Sequence, residues 1–250
     1  MAHTDPPGNS GGRSAGTDYY ETLDVTRIRA GSPARVPDEL VREHAVELTI
    51  DNEPPVVAVC SPADLREWIY GYLFSEGRIA AAADVVRIDR DDSRFRVVLR
   101  DVPAPAELPP VISSKQCIPL ARVQQAMAEA VAAAPVFPRT GGTHFAAIVD
   151  AGEIRILVED ISRSCALEKA LGRLLLEGAS SEPEVLLLSS RVPTRLLLKA
   201  ARASIPIVAA VSAATVDAVR LAEALGICLC GFVREERATI YTHPWRLELP

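Results

Sequence analysis

Glu184-Val-Leu-Leu-Leu188, Ile205-Pro-Ile-Val-Ala209 and Ile227-Cys-Leu-Cys-Gly-Phe232 are three near-continuous apolar runs of strand length. Between them lie residues 194–203 and 215–225, where apolar positions recur at helical spacing. A strand with one wet face alternates polar and apolar residues, whereas a strand covered on both faces does not. Unalternating strands separated by amphipathic helices therefore predict a sheet between two helical layers, a three-layer α/β domain. Upstream, residues 145–149 and 154–158 are short apolar runs parted by Asp150-Ala-Gly-Glu153, the pattern of two antiparallel strands and a tight loop. Residues 164–176 follow as a helix that either Ser162 or Ser164 caps. The α/β domain is thus placed at residues 136–250.

Toward the N-terminus the pattern changes to short strands around one helix. Residues 25–29 alternate as a strand, 45–50 and 56–60 form one hairpin, and 85–88 and 95–99 form a second. Pro62 opens a helix with Ser61 as N-cap and Leu65, Ile69, Tyr72 and Leu73 on one face, and Gly77 stops it. Residues 19–110 are read as a smaller α+β domain. Pro103, Pro105, Pro109 and Pro110 mark the boundary as an extended linker. Residues 111–135 hold a loop with Cys117 and an Ala-rich connecting helix, 121–134. Residues 1–18 are rich in Pro, Gly, Ser and Asp and read as a disordered tail, with no apolar segment of signal-peptide length.

Composition narrows the functional classes. With 250 residues and 48% hydrophobic content the chain can bury a sizeable core. A formal charge of -6 and a pI near 5.4, without clustered Lys and Arg, argue against nucleic acid as a partner. No stretch has the length of a membrane span, so no membrane partner and a cytoplasmic location are expected. Five cysteines without C-x-x-C spacing imply neither a disulfide framework nor a zinc ribbon. Cys228 and Cys230, two apart on a strand, are expected on the same sheet face.

Polar residues gather where these elements begin and end. Thr140-Gly141-Gly142-Thr143-His144 precedes the first strand of the pair; its Gly-Gly lets backbone N–H groups approach a ligand, and is equally what a bare turn needs. Glu159-Asp160 ends the second strand just before a helix N-terminus, itself a potential anion site. Arg191, Arg234 and Arg237 follow the carboxyl ends of apolar strands, where open α/β sheets bind ligands. Guanidinium forks there suit a phosphate-bearing ligand, and arginines of this kind also serve as solvated surface charge.

These residues together carry a family resemblance. Thr140-Gly141-Gly142-x-His144, Glu159-Asp160-x-x-Arg163-x-x-Ala166-x-x-Lys169-x-x-Gly172, Ser189-x-Arg191, Lys199-Ala200, Ile205-Pro206 and Gly231-Phe232-Val233-Arg234-x-x-Arg237 stand in one order. With Glu53-Pro54, Ser61-Pro62, Gly71-Tyr72-Leu73 and Ser75-Glu76-Gly77 before them, they resemble the FdhD family of formate dehydrogenase accessory proteins over residues 22–247. The resemblance implies a cytidine-deaminase-like core without zinc or any other metal held by the protein. It implies a sulfur carrier that takes sulfur as a cysteine persulfide from a cysteine desulfurase. The sulfur passes to the molybdenum cofactor in its bis-guanine-dinucleotide form, bound as substrate, for a molybdenum-dependent formate dehydrogenase or related oxidoreductase. A homodimer is expected. Cys117, beside Lys115, is the candidate for the persulfide. Phe232 is the candidate to stack on guanine, Arg234 and Arg237 to hold phosphates, and Thr140, Gly141, Gly142, His144, Glu159, Asp160, Arg163, Lys169 and Arg191 to line the cofactor site.

Four motifs depart from the family pattern. A C-G-x-C type pair is reduced to Cys117 within Ser113-Ser-Lys-Gln-Cys117, and Gly-Arg-His-Asn reads Ser162-Arg163-Ser164-Cys165. Ser-Gly-Arg reads Ser189-Ser190-Arg191, and the Ser-Glu after it has become Pro193-Thr194. Two other readings accompany the carrier: a protein that keeps the guanine-nucleotide pocket without sulfur transfer, and an enzyme on the same scaffold with Cys165 as nucleophile.

Overall fold

The computed structural model describes residues 19–101, 108–178 and 183–250. The tail at 1–18 and linker residues Pro103 and Pro105 lie outside the described residues. β1 (Tyr20–Arg29) and β2 (Ser32–Val41) pair antiparallel in continuous register, from Tyr20 opposite Val41 to Arg29 opposite Ser32. Ala30 and Gly31 close this ribbon with φ of 49° and 81°, the left-handed pair that a two-residue hairpin turn requires. The ribbon is longer than the single strand expected at 25–29. Its returning strand contains Pro33 and Pro37, which a strand paired on both sides would exclude and a two-stranded ribbon tolerates.

β3 (His44–Ile50), β4 (Val56–Cys60), β5 (Val85–Asp91) and β6 (Arg94–Leu99) form a sheet of order β4-β3-β6-β5. Both expected hairpins are present, joined by a parallel β3–β6 pairing. Helix α1 (Leu65–Ser75) packs Leu65, Trp68, Ile69 and Leu73 into this sheet's core. It starts three residues later than the Ser61-capped helix expected: its N-cap is Asp64, at a φ of 54°. Ser61 is committed elsewhere. Its N–H donates to Asp160 Oδ2 at 3.0 Å, and its hydroxyl accepts from the N–H of Ile161 at 3.2 Å.

The second half runs β7 (Ile118–Pro119), α2 (Leu120–Ala133), α3 (Phe137–Thr140), β8 (His144–Asp150), β9 (Glu153–Asp160) and α4 (Arg163–Glu177). It continues with β10 (Val185–Leu188), α5 (Thr194–Arg202), β11 (Ile207–Ala210), α6 (Val216–Leu225), β12 (Cys228–Arg234), β13 (Arg237–Ile240) and β14 (Leu247–Glu248). The main sheet has the order β13-β12-β11-β10-β8-β9. Its middle strands β10, β11 and β12 are parallel, while β8, β9 and β13 join antiparallel. Alternate residues of one strand enter different cores. Leu186 and Leu188 meet α4, α5 and α6 on one face, while Val185 and Leu187 meet Val123, Met127 and Ala130 of α2 on the other. That double burial is why the strand reads Val-Leu-Leu-Leu without a polar position.

The two sheets are joined chiefly through α1 and α4. A Cβ on Gly71 would lie 1.6 Å from the backbone oxygen of Glu168, and one on Gly172 would lie 1.8 Å from that of Glu67. The helix backbones touch at this crossing, so only hydrogen fits at either position. Cys165, on α4, is part of the core of the first sheet. Among the described residues no helix is long and apolar enough to cross a membrane.

Candidate functional site

Because β10, β11 and β12 are parallel, the loops after them open at one edge of the sheet, and antiparallel β8 and β9 bring His144 and Glu159-Asp160 to the same edge. Ser189, the residue after β10, ties this edge together. Its hydroxyl accepts from the Phe145 N–H at 2.9 Å and lies 3.4 Å from His144 Nδ1. Burial and the nearby Arg163 guanidinium hold the His144 imidazole below its usual range, so it is neutral at pH 7. Arg163 starts α4 and is half-buried; Arg191 is exposed; neither has an ion pair among the described residues.

The 232–237 segment forms the other flank. Phe232 has a φ of 54°, rare for an aromatic residue, and the β12–β13 register shifts between Gly231 and Arg234. Such a bulge re-aims side chains, and strained backbone of this sort concentrates at functional sites. Here it leaves Phe232 half-buried with the Arg237 guanidinium 4.9 Å above its ring. Arg234 donates to the carbonyls of Val211 and Val233, both at 2.8 Å, which ties the segment to the end of β11. Glu235 and Glu236 are exposed at the turn between the two arginines.

Three candidates at this edge have no free polar atoms to offer a ligand. Glu159 accepts from the N–H groups of Val136 and Phe137 at 2.7 and 2.8 Å and from the Thr143 hydroxyl at 2.8 Å. Asp160 and Lys169 are completely buried and paired at 2.6 Å. Asp160 also accepts from Ser61 and Ser162 backbone N–H groups, and Lys169 donates to the Ser61 carbonyl at 2.9 Å. Burial pushes the Asp160 carboxyl up while Lys169 and the amides oppose it. These side chains hold the first sheet to the second and position the edge. Gly142 has a packing reason of its own, since a Cβ there would meet Val41 at 2.7 Å. Gly141 has a φ of 67°, which closes the short α3, and the Thr140 hydroxyl donates back to Val136 at 3.0 Å. Two further motif residues, Ser75 and Lys199, belong to a second buried set, in which Lys199 contacts Glu168 at 2.9 Å and Ser75 at 2.9 Å, and Trp68 donates to Glu168 at 2.8 Å. Ser75 and Lys199 stand in the motif string, whereas Glu168 and Trp68 are marked only by a Glu and a Trp on otherwise apolar helix faces.

Cys117 lies apart from these residues. It precedes β7, which pairs with β14 near the opposite edge of the main sheet, where β10 and β12 begin. Arg246, buried beside β14, fixes that approach by donating to the carbonyls of Gly226, Ser114 and Ile112. Among the five cysteines Cys117 is exposed and the other four are buried. Cys228 and Cys230 share a face, with their sulfurs 3.8 Å apart. Contact with the Cys60 thiol and burial drive the Cys165 thiol far above its usual range, so the structure does not present Cys165 as the nucleophile of an enzyme.

Known proteins place this arrangement. The model of the FdhD/NarQ family matches residues 41–110 and 100–248. A sulfur carrier protein FdhD of Shouchella clausii is 31% identical over 255 residues, covering 90% of this chain and 96% of the relative. One from Methanothermobacter thermautotrophicus is 31% identical over 91% of this chain and 98% of its own length. One from Bacillus subtilis is 30% identical over 90% and 96%. In structure the chain is similar to a crystal structure assigned as a formate dehydrogenase accessory protein of Desulfotalea psychrophila. The TM-score is 0.79 at 24% identity, over 92% of this chain and all of that one, a likeness of fold. With the family's motif residues at one sheet edge and around the α1–α4 crossing, and with relatives matched along nearly their whole length, this chain belongs to the FdhD/NarQ family.

Proposed function

We propose that this protein is a sulfur carrier in the maturation of a molybdenum-dependent formate dehydrogenase or related oxidoreductase. The observation that carries the reading is the exposure of one thiol, Cys117, in a chain whose relatives are named sulfur carrier proteins. The Cys117 thiolate attacks the outer sulfur of a persulfide on a cysteine desulfurase. A sulfur–sulfur bond forms on Cys117, the one on the donor breaks, and the donor cysteine leaves as its thiolate. At the far edge Phe232 offers a face for guanine and Arg163, Arg191, Arg234 and Arg237 offer donors for phosphates, the recognition set of a guanine-dinucleotide molybdenum cofactor held as substrate. Loading at Cys117 and cofactor binding lie at opposite ends of the sheet, so delivery requires the outer sulfur to be carried on Cys117 to the cofactor, where its bond to Cys117 breaks and Cys117 leaves as the thiolate. The carrier acts in the cytoplasm as a homodimer.

The test is to incubate the protein with a cysteine desulfurase and cysteine and to map added sulfur by mass. A gain of one sulfur on Cys117, absent in Cys117→Ala, is the expected result. No gain with guanine-nucleotide binding retained would replace the carrier by a protein that binds the cofactor alone.

A further inference from the structure

The β1–β2 ribbon has no buried residue along its two strands. Side-chain contacts anchor it at its base. Arg139 makes a two-pronged ion pair with Glu39, at 2.7 Å through Nε, and its guanidinium sits 4.4 Å from the Tyr20 ring centre, while Val41 packs on Gly142. Strands of this length extend about 33 Å. An isolated two-stranded ribbon is at best marginal in water, yet this one exposes Ile28 (68%) and Leu23 (47%). Its charges are segregated: residues 26–35 carry Arg27, Arg29 and Arg35 and no acid, while Glu21, Asp24, Asp38 and Glu39 lie toward the base. The outer end is thus apolar and basic.

A surface of the opposite character lies on the same chain. Between the second half of α2 and the end of β12 is a groove of about 620 Å³ walled by Met127, Ala128, Val131, Val211 and Val233. Exposed Glu235 and Glu236 stand at its rim. We propose that the outer end of the β1–β2 ribbon of one copy docks in the α2–β12 groove of a second copy, and reciprocally. Ile28 and Pro33, opposite each other on one face of the ribbon, meet the apolar walls; Arg35, opposite Thr26 on that same face, meets Glu235 and Glu236, and Arg29 reaches them from the other face beside the turn. Reciprocal exchange closes a two-fold dimer and leaves no free ribbon or groove. The contact neutralises the two carboxylates that stand between Arg234 and Arg237, so the partner's ribbon improves this segment as a phosphate site. The inference rests on the homodimer reading above and specifies its interface.

Sedimentation of the full chain at a series of concentrations tests it. The wild type is expected to be a dimer. Ile28→Asp, or the reversal R29E/R35E, is expected to raise the dissociation constant at least about tenfold with the circular dichroism unchanged. E235R/E236R should do the same, and mixing it with R29E/R35E should restore a heterodimer. A monomeric wild type would sink both the dimer and this interface. A dimer that Ile28→Asp and R29E/R35E leave intact would sink the interface alone.

Discussion

Two sets of charged residues stand close in the motif string and far apart in what the fold does with them. Asp160 and Lys169 are fully buried against each other, with Ser61, just after β4 of the first sheet, bonded to both. Arg191, in the loop after β10, and Arg237, at the start of β13, are exposed and without an ion pair among the described residues. A buried pair is expensive to break because the survivor is left charged in the interior, whereas an exposed arginine can leave with little effect on folding. The first set therefore holds the two sheets in place, and the second is available to a ligand.

Lys169→Met should cut this distinction most sharply. It strands Asp160 in the interior and is expected to cost about 3–5 kcal/mol in urea unfolding. A loss below about 1 kcal/mol would mean that the seam is held by other contacts. Gly71→Ala comes next, since its methyl would meet the Glu168 backbone at 1.6 Å; forcing α1 and α4 apart should cost about 1–3 kcal/mol or more. Gly141→Ala is the control. It has the unfavourable φ of 67° but open space around it, and should cost about 1 kcal/mol.

Arg191→Ala should reverse the pattern. Its unfolding free energy should stay within about 0.5 kcal/mol of wild type. Its affinity for a guanine dinucleotide, by calorimetry, should fall roughly tenfold with the loss of one charge-assisted hydrogen bond. Unchanged affinity would move the cofactor away from this edge. The smallest effect concerns His144. Its imidazole titrates lower in the folded chain than in the unfolded one, so the unfolded state binds more protons and stability falls as pH drops below about 6.5. His144→Gln should flatten that part of the pH profile, and an unaltered slope would assign it to another group.

The contrast also marks how far sequence reading reaches. The strands β10, β11 and β12 were legible because burial on both faces removes polar residues from them, and α2, α4, α5 and α6 because their periodicity is strong. β2 was not, since Pro33 and Pro37 are read as strand breakers unless an open edge is known. The Ser61 cap failed for a different reason: Ser-Pro before an apolar run has a local meaning, and Asp160, 99 residues away, overrides it. Phe232, Arg234 and Arg237 are reached from their motif, whereas the left-handed Phe232 and the bulge that aims it are visible only in three dimensions.

By itself the chain determined its mixed α/β class, its single motif-bearing family string and the residues around which chemistry gathers, because hydrophobic period and motif order are properties of neighbours in sequence. Tertiary structure alone decided which of those residues are spent. Glu159, Asp160 and Lys169 are used up inside, the arginines are left outside, and Cys117 is set at the other edge of the sheet. Burial and pairing are long-range outcomes of how the two sheets pack, and no local pattern of residues encodes them.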